Sequence, residues 1–397
     1  MECKDWLGAT GSGKTFVDIA VTIPKRIMSA KGEGLLVLLG NTKGTLERNI
    51  LTPMRELFPS MVGNIGADNT IRMFGKKVYA LGADNKKHVS RIQGASMEYV
   101  YGDEITTWSE DVFQMLKSRL RCEHSHFDGT CNPDNPRHWF KTFLDSDADI
   151  FQQAYIIDDG VLPFDVVTAL KKEYTGTVYY DRFILGLWAA AEGVIYKAFA
   201  DNPQRYIIAD DLTDQDNAQH IEIRNAVIGV DFGGGTSAHA FCCVGFTAGY
   251  RQMIILDEYR EQDALTPDKL ASDFCDFVTN CKRRLNVTDC YCDSAEQTLI
   301  NGLRTAAAKE RIGINIGNAL KKPINDRIRC LCLLMGADRF KVAAHCKHTI
   351  DAIRSAVWDS RKLTEDVRLD DGKMNIDSLD SMEYAYEREM RTLVGRW

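Results

Sequence analysis

The sequence has 397 residues, of which 45% are hydrophobic and 26% are charged. This composition excludes an intrinsically disordered chain, and the length favours two domains. No apolar stretch approaches the roughly 20 residues that span a bilayer, and the N-terminus lacks the apolar region of a signal peptide. We therefore expect an intracellular protein that has no membrane partner.

The net charge of -7 excludes a protein whose whole surface binds nucleic acid, because Lys and Arg supply most of the non-specific affinity for DNA. Any contact with DNA must be local. The 12 cysteines, in a chain without a secretory signal, indicate reduced thiols and not a disulfide framework. Pairs such as Cys290 and Cys292 lack the usual zinc spacing, so we interpret them as core residues.

The N-terminal segment carries a complete phosphate-binding loop with the pattern G-x(4)-G-K-[ST]. The loop consists of Gly8, Ala9, Thr10, Gly11, Ser12, Gly13, Lys14 and Thr15. Its glycines let backbone N–H groups surround phosphates, Lys14 can reach the β- and γ-phosphates, and Thr15 offers a hydroxyl to Mg²⁺. A strand before the loop and a helix over 16–29 are the context that such a loop requires, so the pattern predicts an NTPase.

A strand that ends in two acids follows later in the chain. Residues 97–102 are predicted to form the strand, and Asp103 and Glu104 come directly after it. Asp103 would hold Mg²⁺ through water, and Glu104 would be the catalytic base that orients the attacking water. The alternative is an exposed acidic strand end without a ligand.

Another strand leads into the segment 129–133, which contains Asn132 followed by Pro133. An amide at a strand tip beside a γ-phosphate can report whether that phosphate is present. Asn132 is therefore a candidate for coupling hydrolysis to movement. The alternative is an Asn-Pro turn, which needs no ligand.

The second half of the sequence changes pattern after an Asp-rich stretch over 210–217. The segment 226–235 is predicted to be a strand that ends in Asp231 and is followed by a glycine turn, and further strands are predicted over 238–245 and 252–256. A three-strand meander with an acid on its first, central strand is the opening of a ribonuclease H-like fold. A further short strand ends at Asp293.

The last candidate acids lie on a predicted helix over 375–384, where Asp377 and Asp380 share one face. Two-metal phosphodiester cleavage needs several carboxylates around two Mg²⁺ or Mn²⁺ ions, and Asp231, Asp293, Asp377 and Asp380 could build that site. Each acid also has a structural interpretation, as a turn residue at Asp231 and as a helix N-cap at Asp293 and Asp377.

Two lysines, Lys321 and Lys322, stand between the second and the last acids. They are candidates for binding a DNA phosphate. A solvated turn before Pro323 explains them almost as well.

These observations predict an α/β protein with two domains. We expect a P-loop NTPase domain of the ASCE type, with a mostly parallel sheet, over residues 1–190. A junction would cover 191–225, and a ribonuclease H-like nuclease domain with a mixed sheet would cover 226–397.

The motifs, in this order, resemble those of the large terminase subunit of tailed bacteriophages and prophages, the DNA-packaging ATPase and nuclease. The resemblance rests on the segments 8–15, 100–104, 129–133, 182–188, 229–233 and 377–384. It implies that ATP hydrolysis with Mg²⁺ drives double-stranded DNA into a procapsid through the portal protein. It also implies an endonuclease with two Mg²⁺ or Mn²⁺ ions that cuts concatemeric DNA. The implied partners are a small terminase subunit and further copies in a homo-oligomeric, pentameric ring, and the implied location is the cytoplasm of a bacterial host.

Two features depart from the pattern of this family. Relatives carry additional residues ahead of the loop that help to hold adenine, so we expect weak nucleotide affinity. An internal start or a fragmentary gene would explain why few residues precede the loop in this sequence. Many relatives place an arginine inside the loop, where this chain has Ala9, Thr10 and Ser12. We expect Arg91 to act instead on the ATP of a neighbouring subunit.

Two other functions would also fit the motifs. One is a helicase-like or DNA-repair ATPase fused to a nuclease. The other is an inactive protein of a decaying prophage.

Overall fold

The computed structural model describes residues 2–9, 11–83, 94–146, 150–159, 161–213, 221–234, 237–263, 265–372 and 374–395, with the backbone alone for 2–8. The chain forms two compact units. The first comprises residues 1–170, 178–190 and 363–365, and the second comprises 171–177, 191–362 and 366–397. In the described part of the chain, no helix has the length and apolar character needed to cross a bilayer.

The first unit is built on a seven-stranded sheet in the order β3-β4-β2-β5-β6-β1-β7. Its strands are β1 (Glu2–Gly8), β2 (Leu35–Gly40), β3 (Thr70–Met73), β4 (Lys76–Gly82), β5 (Met97–Gly102), β6 (His126–Cys131) and β7 (Ile150–Tyr155). All neighbouring strands run parallel except β3 and β4. The segments that follow β1, β5 and β6 therefore meet at one edge of the sheet.

Helices cover both faces of this sheet, and β2 shows why. Leu36 and Leu38 pack into one buried cluster and Val37 and Leu39 into the other, as expected for a strand that is buried on both sides. The helices up to residue 183, in chain order, are α1 (Lys14–Val17, Asp18–Thr22 and Ile23–Ser29), α2 (Lys43–Leu46, Glu47–Leu51 and Thr52–Leu57), α3 (Glu110–Lys117), α4 (Trp139–Leu144), α5 (Phe164–Tyr174) and α6 (Val178–Phe183). The middle segments of α1 and α2 are π-helical, and Ile105–Thr107 forms a 3-10 turn.

The second unit contains a mixed seven-stranded sheet in the order β13-β12-β9-β10-β11-β14-β8. Its strands are β8 (Ile207–Ile208), β9 (Asn225–Asp231), β10 (His239–Phe246), β11 (Met253–Glu261), β12 (Val287–Cys292), β13 (Asn315–Asn318) and β14 (Phe340–Ala343). The strand β9 pairs antiparallel with β10 and parallel with β12, and β10 pairs antiparallel with β11. The meander predicted from the sequence is thus present, with β9 inside the sheet.

The helices of the second unit lie before, between and after these strands in the chain. They are α7 (Lys197–Asp201), α8 (Pro267–Arg284), α9 (Gln297–Lys309), α10 (Ile324–Gly336), α11 (Lys347–Ser355), α12 (Ile376–Tyr386) and α13 (Met390–Val394). Short 3-10 turns occur at Pro203–Arg205, Asp210–Thr213 and Ala248–Tyr250. The α/β class with mixed sheets that the sequence predicts is confirmed.

The helix α12 packs directly on β9 and β10. A Cβ atom added at Gly229 of β9 would lie 1.8 Å from the carbonyl oxygen of Ser381 and 2.8 Å from the amide nitrogen of Ala385. Only glycine allows the helix backbone to approach this strand so closely. This approach brings the first turn of α12 to the end of β9.

Candidate functional site

The phosphate-binding loop lies between β1 and α1, where the first sheet ends. Gly11 and Gly13 adopt left-handed backbone conformations, with φ of 71° and 86°, which disfavour other residues. A Cβ atom at Gly11 would lie 2.7 Å from the side chain of Leu162, and one at Gly13 would lie 3.0 Å from Val161. Both glycines are therefore required by conformation and by space. Thr10 lies outside the described residues.

The ammonium group of Lys14 is buried within this loop. It donates a hydrogen bond to the carbonyl oxygen of Ala9 (3.0 Å) and another to the amide oxygen of Asn132 (2.8 Å). The hydroxyl of Ser12 donates to the same carbonyl at 2.8 Å. The lysine of the loop is thus joined to the amide at the tip of β6, while Thr15 is half-buried in the first turn of α1.

Asp103, at the end of β5, is 3% exposed. Its carboxylate accepts hydrogen bonds from the hydroxyl of Thr130 (3.0 Å) and from the amide of Asn49 (3.2 Å). Burial raises the pKa of Asp103, and these two bonds and the charge of Lys14 oppose that rise. The carboxyl is therefore in an environment in which a nearby cation would favour its ionised form.

Glu104 has a left-handed backbone conformation with φ of 52°. Its N–H donates to the hydroxyl of Thr130 at 3.3 Å, so a single threonine contacts both acids. The hydroxyl of Thr106 donates to the carbonyl oxygen of Asn132 at 3.1 Å. The tips of β5 and β6 are therefore linked by hydrogen bonds.

The structure brings Lys14, Asp103 and Asn132 together, as the sequence predicts. Asn49, on α2, had no motif that could have identified it. Thr130 was inside a segment that the sequence singled out for its asparagine. Arg91 lies outside the described residues, and its proposed action on a neighbouring subunit stays a prediction.

In the second unit, three of the acids predicted from the sequence, Asp293, Asp377 and Asp380, lie near the fourth, Asp231, which is the last residue of β9. Burial raises the pKa of Asp231 to about 9, and the next causes are the carboxylates of Asp380, Asp293 and Asp377, with a small opposing effect of Lys321. Like charges that approach each other in a partly buried site favour the protonated form.

Three of these acids each have a cation beside them. Lys321 lies 2.5 Å from Asp293. Asp377 lies 3.6 Å from Arg260 and accepts the N–H of Ala238 at 3.0 Å. Asp380 is bound by Arg368 at 2.5 Å. Within the described residues no ion pair joins Asp231 to a cation, so this acid has no compensating charge of its own.

The donor set fits divalent metal ions that prefer oxygen, since four carboxylates surround the end of β9. The oxygens of these acids are not at metal-binding distances, since no three of the described acids place carboxylate oxygens within 4.8 Å of one another. In the first unit, the exposed residues Glu33, Glu123 and His124 do place possible ligand atoms within that distance.

Neither Asp293 nor Asp377 is the helix N-cap that the structural interpretation proposed. The N-cap of α12 is Asn375, whose side chain accepts the N–H of Ser378 at 3.2 Å, so Asp377 is not the cap. Asp293 accepts the N–H of Ala295 at 2.8 Å, but α9 begins only at Gln297. Asp293 therefore stabilises a turn and does not cap the helix.

The two lysines between the acids point in different directions. The buried carboxylate of Glu387 accepts the backbone N–H groups of Leu320, Lys321 and Lys322. It holds Lys321 in a left-handed conformation with φ of 51° and its ammonium group at Asp293. The ammonium group of Lys322 instead donates to the carbonyl oxygen of Glu387 at 2.6 Å. Lys321 alone of the two faces the acids.

Sequence reasoning missed several partners of the acids. Arg260 contacts Asp377, and Arg327 and Arg368 contact both Asp380 and Glu383. Glu387 binds the backbone of the two lysines. Glu383 lies three residues after Asp380 on the same helix, but nothing in the sequence shows that it is buried. The arginines and Glu387 follow no motif, and their roles are recognisable only from their contacts.

Comparisons with known proteins bear on this arrangement. A family model described as the terminase large subunit, T4likevirus-type, N-terminal, matches residues 6–201. Among solved structures, the large terminase of a thermophilic bacteriophage superimposes with a TM-score of 0.81 at 25% identity, over 97% of this chain and 92% of that one.

Another crystal form of the same phage terminase, in complex with ADP, gives a TM-score of 0.80 at 24% identity, over 99% and 94% of the two chains. The complex with ATP-gamma-S gives 0.78 at 24% identity, over 96% and 92%. A search of curated protein sequences gives no match. The family match to residues 6–201 and the likeness of fold along nearly the whole length support a large terminase subunit.

Proposed function

We propose that this chain is a DNA-packaging enzyme in which ATP hydrolysis drives double-stranded DNA into a procapsid through the portal, and a two-metal endonuclease cuts concatemeric DNA. The observation that carries the proposal is the presence of both sites in one chain. Lys14, Asp103 and Asn132 meet at the end of one sheet, and three further carboxylates surround Asp231 at the end of the other.

An ASCE-type ATPase over residues 1–190 is supported by the strand order. The strand β6 lies between β1, which precedes the phosphate-binding loop, and β5, which precedes Asp103 and Glu104. The thermophilic-phage large terminase, which has a similar fold, was crystallised in complex with ADP and with ATP-gamma-S. These observations favour ATP as the substrate at the loop, with Mg²⁺ held by Thr15 and Asp103.

In the proposed ATPase reaction, Lys14 binds the β- and γ-phosphates and Glu104 orients the attacking water. The ammonium group of Lys14 donates to the Asn132 amide oxygen at 2.8 Å. A γ-phosphate that binds Lys14 would compete with this bond and release the Asn132 amide. Asn132 would then respond to the presence of the phosphate, which is the coupling that a translocating motor needs.

A ribonuclease H-like nuclease over residues 226–397 is supported by the mixed sheet with β9 inside it and by an acid at the ends of β9 and β12. We assign Asp231, Asp293 and Asp380 as metal ligands. Asp377 would support them, because its charge acts on Asp231 less than those of Asp380 and Asp293 do. When bound, two Mg²⁺ or Mn²⁺ ions supply an activated water and stabilise the leaving oxygen.

The remaining residues of the proposed nuclease site act on DNA and on the acids. Lys321, exposed and aimed by Glu387, is suited to bind a phosphate of the DNA strand. Lys322 would support the same loop through Glu387. The portal protein, a small terminase subunit and a ring of further copies are the partners that the likeness to large terminases suggests.

The nuclease half of the proposal is tested by nicking of supercoiled plasmid with Mn²⁺. Asp231→Ala should lower the nicking rate by about 100-fold or more, because it removes the central ligand of the site. Asp263→Ala, at an exposed acid on the same unit, should nick like the parent. Equal nicking by Asp231→Ala and the parent would refute the assigned site.

The ATPase half is tested by phosphate release in the presence of Mg²⁺. Glu104→Gln should retain nucleotide binding and lose turnover by about 100-fold or more, since the amide cannot serve as a base. Lys309→Ala, at an exposed lysine far along the sequence, serves as the control. Full turnover by Glu104→Gln would overturn the role given to Glu104.

A further inference from the structure

Asp380 shares two buried arginines with a second acid on the same face of α12, Glu383. The guanidinium of Arg368 donates through Nη1 to Glu383 Oε1 (2.7 Å) and through Nη2 to Asp380 Oδ1 (2.5 Å). Arg327 Nη1 lies 2.8 Å from Glu383 Oε2 and 3.7 Å from Asp380 Oδ1. The side chains of Arg327, Arg368 and Glu383 are at most 5% exposed, whereas that of Asp380 is 20% exposed.

The two arginines use the same oxygen of Asp380. Both contacts are made to Oδ1, and in the described part of the chain no hydrogen bond or ion pair engages Oδ2. A planar guanidinium that bridges two carboxylates fixes their orientation as well as their distance. One oxygen of Asp380 is therefore fixed in the interior, and the other is left for a ligand.

Glu383 has a different part in this cluster. It is fully buried, and each of its oxygens faces one arginine, so it has no oxygen to offer a metal ion. Two arginines, Glu383 and Asp380 carry formal charges that sum to zero. Glu383 thereby makes it possible to bury two guanidinium groups beside a metal-binding acid, which would otherwise be costly.

We propose that Arg368, held by Glu383, is a positioning residue that presents Asp380 Oδ2 to divalent metal and thereby sets the metal affinity of the nuclease site. This inference rests on the proposed nuclease function. Asp377 differs from Asp380 in its partners, since the contacts to its Oδ2 come from a backbone N–H and from the more exposed Arg260. Partners that orient a metal ligand typically change metal affinity by about 10-fold to 100-fold when they are lost.

Removal of Arg368 alone would change both the orientation of Asp380 and the local charge. Two variants separate these effects. Arg368→Lys keeps the charge but loses the planar fork, and the double variant Arg368→Met with Glu383→Gln removes one charge of each sign. If Arg368 acted only through its charge, neither variant would alter metal binding.

The experiment measures Mn²⁺ binding to the full chain by electron paramagnetic resonance, without DNA. We expect both variants to bind Mn²⁺ about 10-fold to 100-fold more weakly than the parent. The nicking rate at low Mn²⁺ should fall in both variants. Most of that rate should return at high Mn²⁺, because the proposed metal ligands Asp231, Asp293 and Asp380 are unchanged. Arg361→Met is the matched control, because Arg361 is an exposed arginine paired with Asp359, and it should bind Mn²⁺ like the parent.

Folding is checked by circular dichroism, and the result from whichever of the two variants folds decides the question. A folded variant with the parent's Mn²⁺ affinity would overturn the inference. Failure of the nuclease proposal would look different: Asp231→Ala would nick like the parent, while Arg368→Lys would still bind Mn²⁺ more weakly.

Discussion

Asp231 is the one acid of the second site for which the described residues supply no cation in contact. Its neighbours Asp293, Asp377 and Asp380 each contact a lysine or an arginine. Burial and the charges of those acids together raise the pKa of Asp231 to about 9. Without metal, Asp231 is therefore protonated at neutral pH and becomes charged only when a cation arrives.

This shift predicts a pH dependence of stability in the presence of a chelator. The carboxyl ionises near pH 3.8 in the unfolded chain and near pH 9 in the folded one. Between these values the folded state binds the extra proton, so the free energy of unfolding falls as the pH rises. Asparagine has no ionisable group, so the stability of Asp231→Asn lacks this pH dependence. Near pH 8 its free energy of unfolding should exceed that of the parent by several kcal/mol, since each unit of pKa shift corresponds to about 1.4 kcal/mol.

Urea denaturation of the parent and Asp231→Asn, at about pH 4 and about pH 8 with a chelator present, measures the effect. The advantage of Asp231→Asn should vanish at the lower pH, and saturating Mn²⁺ should reverse it near pH 8 by stabilising the parent alone. Asp263→Asn, at an exposed acid, should follow the parent. An equal pH dependence in the parent and Asp231→Asn would contradict the shifted pKa.

At the scale of single residues, the acids of the second site could be predicted from the sequence, but the basic residues that contact them could not. Asp231 and Asp293 follow apolar strands, and strand ends are where parallel sheets place functional groups. Arg260 lies far along the chain from Asp377, and Arg368 lies outside the helix that carries Asp380. A buried arginine looks like an exposed one in sequence. Pairing between distant segments has no local pattern to reveal it.

At the scale of elements, the second site depends on the close approach of α12 to β9. Gly229 permits this approach, because any Cβ atom there would lie 1.8 Å from the carbonyl oxygen of Ser381. Asp377 and Asp380 lie on the same helix, ahead of Ser381. Any displacement of the helix would therefore move these acids away from Asp231.

We expect Gly229→Ala to cost about 1–3 kcal/mol of stability, as overpacking of a buried contact does, and to weaken Mn²⁺ binding. Gly302→Ala is the matched control, because Gly302 lies within α9 with nothing within 4 Å of the added Cβ atom. It should stabilise the protein by up to about 1 kcal/mol. Urea denaturation and Mn²⁺ titration measure both effects, and a Gly229→Ala protein that matches the parent in both would refute the packing argument.

The sequence predicted the long elements better than the short ones. The sequence predicts helices over 164–174 and around 267–284, and α5 and α8 have these bounds. The start of α8 is marked by Pro267 after Thr266, whose side chain accepts the N–H of Lys269. The strand β7 was not predicted, since four of its six residues are exposed and it shows no apolar alternation. Very short strands such as β8 carry too few residues for any periodicity.

At the scale of the whole molecule, the groups proposed for each reaction that the structure describes belong to one unit. The hydrogen bonds described for Lys14 and Asp103 are made within the first unit, and the ion pairs described for Asp293 and Asp380 are made within the second. The two chemistries should therefore be separable by single substitutions, even though packaging would need both.

Lys14→Ala should lower ATP turnover by about 100-fold or more, because it removes a cation from the phosphates in the transition state. It should leave Mn²⁺-dependent plasmid nicking within about 2-fold of the parent, since the hydrogen bonds of Lys14 are made to Ala9 and Asn132 of the first unit. Asp231→Ala should show the opposite pattern, with nicking lost and ATP turnover kept. Lys309→Ala and Asp263→Ala control for the loss of an exposed charge in each case. If Lys14→Ala also abolished nicking in a folded protein, the nuclease would depend on nucleotide, and the two sites would have to be treated as one coupled system.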